Sequence, residues 1–149
     1  GTGSPPLRFG GPGGLRAPVV PVAADAATGA LRLPAAPDEL GWWALGARPG
    51  DPAGTVLIAG HLDGPDGSPG VFAALAGLEP GARVHLTGAD GHRYGYVITE
   101  RRHHPADRLP AALFSGSGPP RLALVTCAGR WDPAAGRYAE NLVVHGRPE

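Results

Sequence analysis

The apolar residues of this chain come in short runs, each closed within a few positions by Gly or Pro. That punctuation limits the folds open to it more than any other feature. With 25 Gly and 18 Pro among 149 residues, no stretch holds a 3.6-residue period long enough for a long helix. Strands of four to eight residues do fit between the breaks. Residues 19–22 read as a first strand, with Pro18 and Pro21 favouring a sheet edge. Residues 31–33 read as a short second one. Residues 56–59, apolar throughout and bounded by Gly54 and Gly60, should be buried on both faces. Residues 83–87 alternate and lead through Gly88-Ala89-Asp90-Gly91 into residues 94–100, a hairpin pattern. Residues 122–126 form another buried run, and residues 142–144 close the chain. Helix is confined to two turns over 71–78 and one or two over 106–114, where Pro110 interrupts. Strands do not alternate with long helices, which excludes a doubly wound α/β fold. The pattern is that of a single, mostly-β domain, a sandwich or a barrel.

Residues 1–14 hold Pro5, Pro6 and Pro12 among six glycines and show no period, so they read as a linker or mobile arm. Order is expected from Ala17, giving an arm over 1–16 and a folded domain over 17–149. At this length folding buries about 68–70% of the unfolded surface, enough for one core without staples. The single Cys excludes an internal disulfide. Thirteen basic residues, all Arg, balance thirteen acidic ones, which removes the electrostatic footprint of a nucleic-acid binder. No run approaches the roughly 18 apolar residues of a membrane helix. The lack of Met and Lys fits a GC-rich coding sequence and a piece of a longer chain, so any membrane anchor is expected upstream.

Cys127 ends the run Leu122-Ala123-Leu124-Val125-Thr126, and period-2 alternation puts it on the face of Ala123 and Val125. A thiol at the mouth of a rigid strand is held in place and still reachable, as a nucleophile must be. A small core hydrophobe would fit the same position. His61 follows Val56-Leu57-Ile58-Ala59-Gly60 and also stands where a buried strand opens into an irregular loop, residues 63–70. A Cys nucleophile needs an acid/base partner to set its protonation and to protonate the leaving amine. His61 supplies the right group, although a His capping a turn would look alike. His85, His92, His103, His104 and His145 compete for that role. A metal site could combine His61 and Asp63 with His103 or His104, but no pair has a zinc-like spacing. The loop after Cys127, residues 130–138, offers Arg130 and Arg137 as cations for a developing oxyanion. Each would otherwise read as a solvated surface arginine.

Together these segments resemble the sortases, and most nearly the class F sortases of actinobacteria, over residues 17–148. The residues that carry the resemblance are Ala17-Pro18-Val19-Val20-Pro21-Val22, then Gly41-Trp42-Trp43 after a short helix. Leu57-Ile58-Ala59-Gly60-His61-Leu62-Asp63, Gly70-Val71-Phe72, Leu124-Val125-Thr126-Cys127 and Glu140-Asn141-Leu142-Val143-Val144 complete it. The resemblance implies an eight-stranded β-barrel with one to three short helices, carrying an extracytoplasmic enzyme anchored to the membrane. Such an enzyme cleaves an LPXTG-like sorting signal through a Cys thioester and passes the acyl group to an amine acceptor such as a cell-wall precursor, with no cofactor or metal. It assigns Cys127 as nucleophile and His61 as acid/base, with Thr126 shaping the site. The family's arginine immediately precedes the last apolar run, where this chain has Asn141. Arg137, four residues earlier, is the first choice for oxyanion donor, with Arg130 and Asn141 as substitutes. Ala128 stands where a Gly is expected after the Cys. A cysteine peptidase using the same dyad, and a non-catalytic β-barrel binding module, remain as alternatives.

Overall fold

The computed structural model describes residues 3–24, 31–64 and 66–149. Its eight strands are β1 (Pro6–Gly10), β2 (Arg16–Val22), β3 (Leu40–Trp43), β4 (Thr55–Ala59), β5 (Arg83–Gly88), β6 (Arg93–Pro105), β7 (Arg121–Asp132) and β8 (Arg137–Pro148). They close a barrel in the order β1-β2-β3-β4-β7-β8-β6-β5. All neighbours are antiparallel except β2 with β3 and β4 with β7. Among the described residues helix is limited to 3-10 turns at Pro12–Gly14, Val71–Gly77 and Ala111–Phe114. Among the described residues no helix is long and apolar enough to cross a membrane.

The expected arm needs correction. Residues 1–2 lie outside the described residues, but residues 6–10 form a barrel strand paired with β2 on one side and β5 on the other. Pro6 occupies the first strand position, where its missing N–H costs no ladder bond. Phe9 points inward and is buried against Phe72, edge to face with ring centroids 5.8 Å apart. The Gly-Pro-Gly-Gly stretch is therefore hairpin chemistry rather than linker: Gly13 and Gly14 take φ of 70° and 78°, a region that favours glycine, and turn β1 into β2.

Alternation sorts side chains into two apolar clusters. Val56, Ile58, Leu122, Leu124, Leu142 and Val144 fill the barrel with Phe9, Leu40, Leu86 and Ile98. Leu57, Ala59, Ala123, Val125 and Val143 face outward from β4, β7 and β8 and form a second cluster under Leu113. This explains why β4 is buried at every position. Residues 31–33 form no strand; Leu31 makes one bridge to Ala24, and Leu31 and Leu33 pack over the outer cluster. Pro34 follows at once and has no N–H with which to extend a ladder. The short helix expected before Gly41 is an irregular turn containing Pro34 and Pro37.

Candidate active site

The parallel pair β4–β7 determines where the two chemical residues fall. Ala59 is level with Val125. Just beyond, Gly60 N–H donates to the Val125 carbonyl at 3.1 Å, and the buried Thr126 hydroxyl donates to the Gly60 carbonyl at 2.9 Å. His61 follows Gly60 as Cys127 follows Thr126, so both residues leave the same end of the β4–β7 pair. Thr126 thus ties the two strand ends together from the inner side. Cys127 faces outward on the opposite side of β7 and is half-buried. It sits at the mouth of a groove of about 200 Å³ on the outer wall, floored by Leu57, Ala59 and Val125 and roofed by Leu31, Leu33 and Leu109.

The His61 loop is held by backbone bonds: Phe72 N–H donates to the His61 carbonyl, Gly70 N–H to Leu62, and Val71 N–H to Pro37. His61 Nε2 lies 2.6 Å from the Pro34 carbonyl. Since that oxygen only accepts, Nε2 carries the ring proton, which leaves Nδ1 as the basic nitrogen of the neutral ring. No hydrogen bond joins His61 to Cys127. Burial first, and the nearby Asp63 carboxylate second, push the Cys127 thiol above its ordinary range. At neutral pH the resting group is a thiol, so its proton must leave as the sulfur reacts.

Across β7–β8, Cys127 is level with Asn141. The Asn141 amide donates one N–H to the Ala106 carbonyl at 3.2 Å, fastening the connection that roofs the groove, and its other N–H has no partner among the described residues. The register does not bring Arg137 to Cys127. Arg137 is level with Asp132 at the hairpin tip, exposed, about 13 Å along β8 from Asn141. Ala139, on the same face between them, has no side-chain donor. Arg130 is exposed in the irregular stretch between Ala128 and Trp131. Among the described residues no arginine hydrogen-bonds to Cys127, Asn141, Asp63 or Tyr138.

Two residues at the site have no counterpart among the sequence-derived candidates for catalysis. The Tyr138 hydroxyl donates to Asp63 Oδ2 at 2.5 Å, joining the β4 loop to β8 across 75 residues of sequence. That hydrogen bond, with lesser contributions from burial and the negative charge of Asp63, raises the Tyr138 pKa, and Cys127 adds a further upward push. Asp63 was visible in the Gly60-His61-Leu62-Asp63 motif, but no local spacing points to Tyr138. The remaining histidines lie elsewhere. His103 pairs with Glu140, His104 is level with Asn141 on β6, His145 is level with Ala123, and His85 and His92 lie in the β5–β6 hairpin. Among the described residues no three His, Cys, Asp or Glu side chains converge as metal ligands.

A family model described as the sortase domain matches residues 13–149. Among solved structures, the fold is similar to the lid mutant of sortase A from Corynebacterium diphtheriae. The TM-score is 0.70 at 16% identity, over 98% of this chain and 71% of that one. It is equally similar to sortase C1 of Streptococcus agalactiae in its complex with MTSET, with TM-score 0.70 at 14% identity, over 95% of this chain and 66% of that one. Sortase C-1 from Actinomyces oris gives TM-score 0.70 at 16% identity, over 95% and 72%. The chain therefore spans about two thirds of the length of these structures. A sequence search of curated proteins returns no match.

Proposed function

The chain belongs to the sortase family, and from that premise we propose that it is a cysteine transpeptidase acting on LPXTG-like sorting signals. The observation that carries the proposal is Cys127 at an outer apolar groove, where β7 emerges beside β4, the strand that leads through Gly60 to His61. The groove is suited to the Leu and Pro side chains of an extended peptide, which would present the following Thr carbonyl to the thiol. Cys127 Sγ attacks that carbon while the thiol proton passes to His61 Nδ1. As the C–N bond breaks, His61 returns the proton to the departing amine, leaving a thioester on Cys127. An acceptor amine then attacks the thioester, transfers its surplus proton through His61, and expels the restored thiol. Splitting one amide exchange into two acyl transfers lowers each barrier.

The oxyanion donor in this reading is the free N–H of Asn141, and Arg137 would reach the site only if the hairpin tip folded inward. Asp63 and Tyr138 hold that hairpin beside the thiol. The sequence pattern supports placement with the class F enzymes of actinobacteria, working outside the cytoplasm on a membrane anchor lying upstream. Incubation with a sorting-signal peptide, with and without a primary amine, tests the reading. Ligated product that grows with amine concentration supports it. Cleavage that yields only the free acid at all amine concentrations makes the chain a cysteine peptidase, and no turnover together with an unreactive thiol makes it a binding module.

A further inference from the structure

A second concave surface lies on the opposite wall. Counting round the barrel in either direction, β1 is four strands from β7, so what β1 carries outward faces away from Cys127. There the outer faces of β2, β1, β5 and β6 form a cleft of about 490 Å³, more than twice the volume of the groove at the thiol.

Register determines what opens onto it. Arg8 is level with Thr87, and Thr87 with Arg93, so these three stand in one row across β1, β5 and β6. Arg16 is level with Gly10, and Gly10 with His85, in the next row. The cleft thus gathers three guanidiniums, an imidazole and a hydroxyl, and no lining residue is acidic. In a chain whose charges cancel, three of thirteen arginines sharing one concavity is a marked local asymmetry. Glu149 is not among the lining residues; it pairs with Arg83 at 3.7 Å and lines an adjoining concavity with His85 and Arg93.

The arrangement is built rather than incidental. The His85 ring comes so close to Gly10 that a Cβ there would overlap it. Arg93 donates to His85 Nε2 at 2.8 Å, which braces its guanidinium over the cleft. Arg8 and Arg16 have no hydrogen-bond or ion-pair partner among the described residues, so their donors are free. Like charges held within two strand spacings repel one another unless an anion lies among them. Guanidinium forks match the paired oxygens of a phosphate, and Thr87 adds a neutral donor. The volume exceeds that of a bare phosphate, and Leu15 and Pro18 give part of the wall an apolar surface. We propose that this cleft binds a phosphate ester carrying a small organic group of glycerol size. The ester is either the headgroup of an anionic lipid or a free phosphate ester. This inference is independent of the chemistry assigned to Cys127.

Two probes test it with the full chain. The first is sn-glycerol 3-phosphate, followed by titration calorimetry. The second is vesicles of phosphatidylglycerol in phosphatidylcholine, followed by co-sedimentation. The triple variant Arg8→Gln, Arg16→Gln, Arg93→Gln should weaken binding of at least one probe by about tenfold or more, while its melting temperature and its cleavage of sorting peptide stay at wild-type values. Cys127→Ala should bind as wild type does, and Arg16→Gln alone should weaken binding several-fold. Loss confined to the vesicle arm identifies a lipid headgroup as the source, and loss in the soluble arm identifies a free ester. Either outcome supports the site. Equal binding by wild type and triple variant, or binding of neither probe at millimolar concentration, overturns it.

Discussion

The outer faces of β4–β7–β8 and of β2–β1–β5–β6 follow the same alternation and meet different fates. On the first, the outward residues Leu57, Ala59, Val125 and Val143 are apolar and are covered by Leu31, Leu33, Leu109 and Leu113. On the second, the outward residues Arg8, Arg16, His85 and Arg93 are polar and left open. The inner faces of both walls share one core. The difference teaches that the inward half of each strand serves the fold, while the outward half is free to be made into a site. One wall became an apolar groove ending in a thiol and the other a basic cleft.

The sharpest way to break this comparison is His61→Ala. If the first wall is catalytic, kcat for peptide cleavage should fall by about 10²–10⁴ with KM little changed, because proton transfer matters in the transition state. A variant that keeps wild-type turnover would reduce that wall to packing. Next in size, Asn141→Ala should lower kcat by roughly 10²–10³, the range seen for loss of one oxyanion donor. Arg137→Ala should remain within a few-fold of wild type in the same steady-state assay. The reverse order would mean that the hairpin tip folds onto the thiol during turnover.

Stability separates inside from outside. Leu122→Ala, deep in the barrel, should cost about 2–5 kcal/mol in denaturant unfolding. Leu109→Ala, on the groove's roof and only half-buried, should cost under about 1 kcal/mol and act chiefly by raising the KM for peptide. Equal losses of stability would show that the roof belongs to the core. The smallest effect concerns His145, on the outer face of β8. Burial lowers its pKa, and Glu100 opposes that only in part. The unfolded chain therefore binds the proton more readily, so stability is fully present above the ordinary histidine range near 6.5. It declines as pH falls from there toward the folded value, then levels off. Melting temperature measured from pH 7.5 to 5 should decline, and His145→Gln should flatten part of that slope.

The sequence made the strand ends legible because burial leaves a local mark. Uniform apolarity at residues 56–59 and 122–125 marks β4 and β7, and His61 and Cys127 each stand two residues past the end of a run. Barrel closure left no such mark, since pairing between β1 and β5 joins residues some eighty positions apart. For the same reason β1 was hidden: its Gly and Pro neighbours carry the composition of a linker, and only the position of Phe9 in the core shows their use as a turn. Leu31 and Leu33 alternate like a strand yet act as a roof, because Pro34 ends any ladder. Charge and reach favour Arg137 on sequence alone, whereas β7–β8 register sets Asn141 opposite the thiol. Tyr138 meets Asp63 through tertiary folding alone.

The central claim is that Cys127 carries the acyl group, and intact-mass spectrometry of the acid-quenched enzyme with an LPXTG-type peptide tests it most directly. The account predicts an adduct equal to the peptide fragment ending at Thr, located on Cys127, released by hydroxylamine and absent from Cys127→Ala. Turnover that survives Cys127→Ala, or an adduct on any other residue, would contradict it.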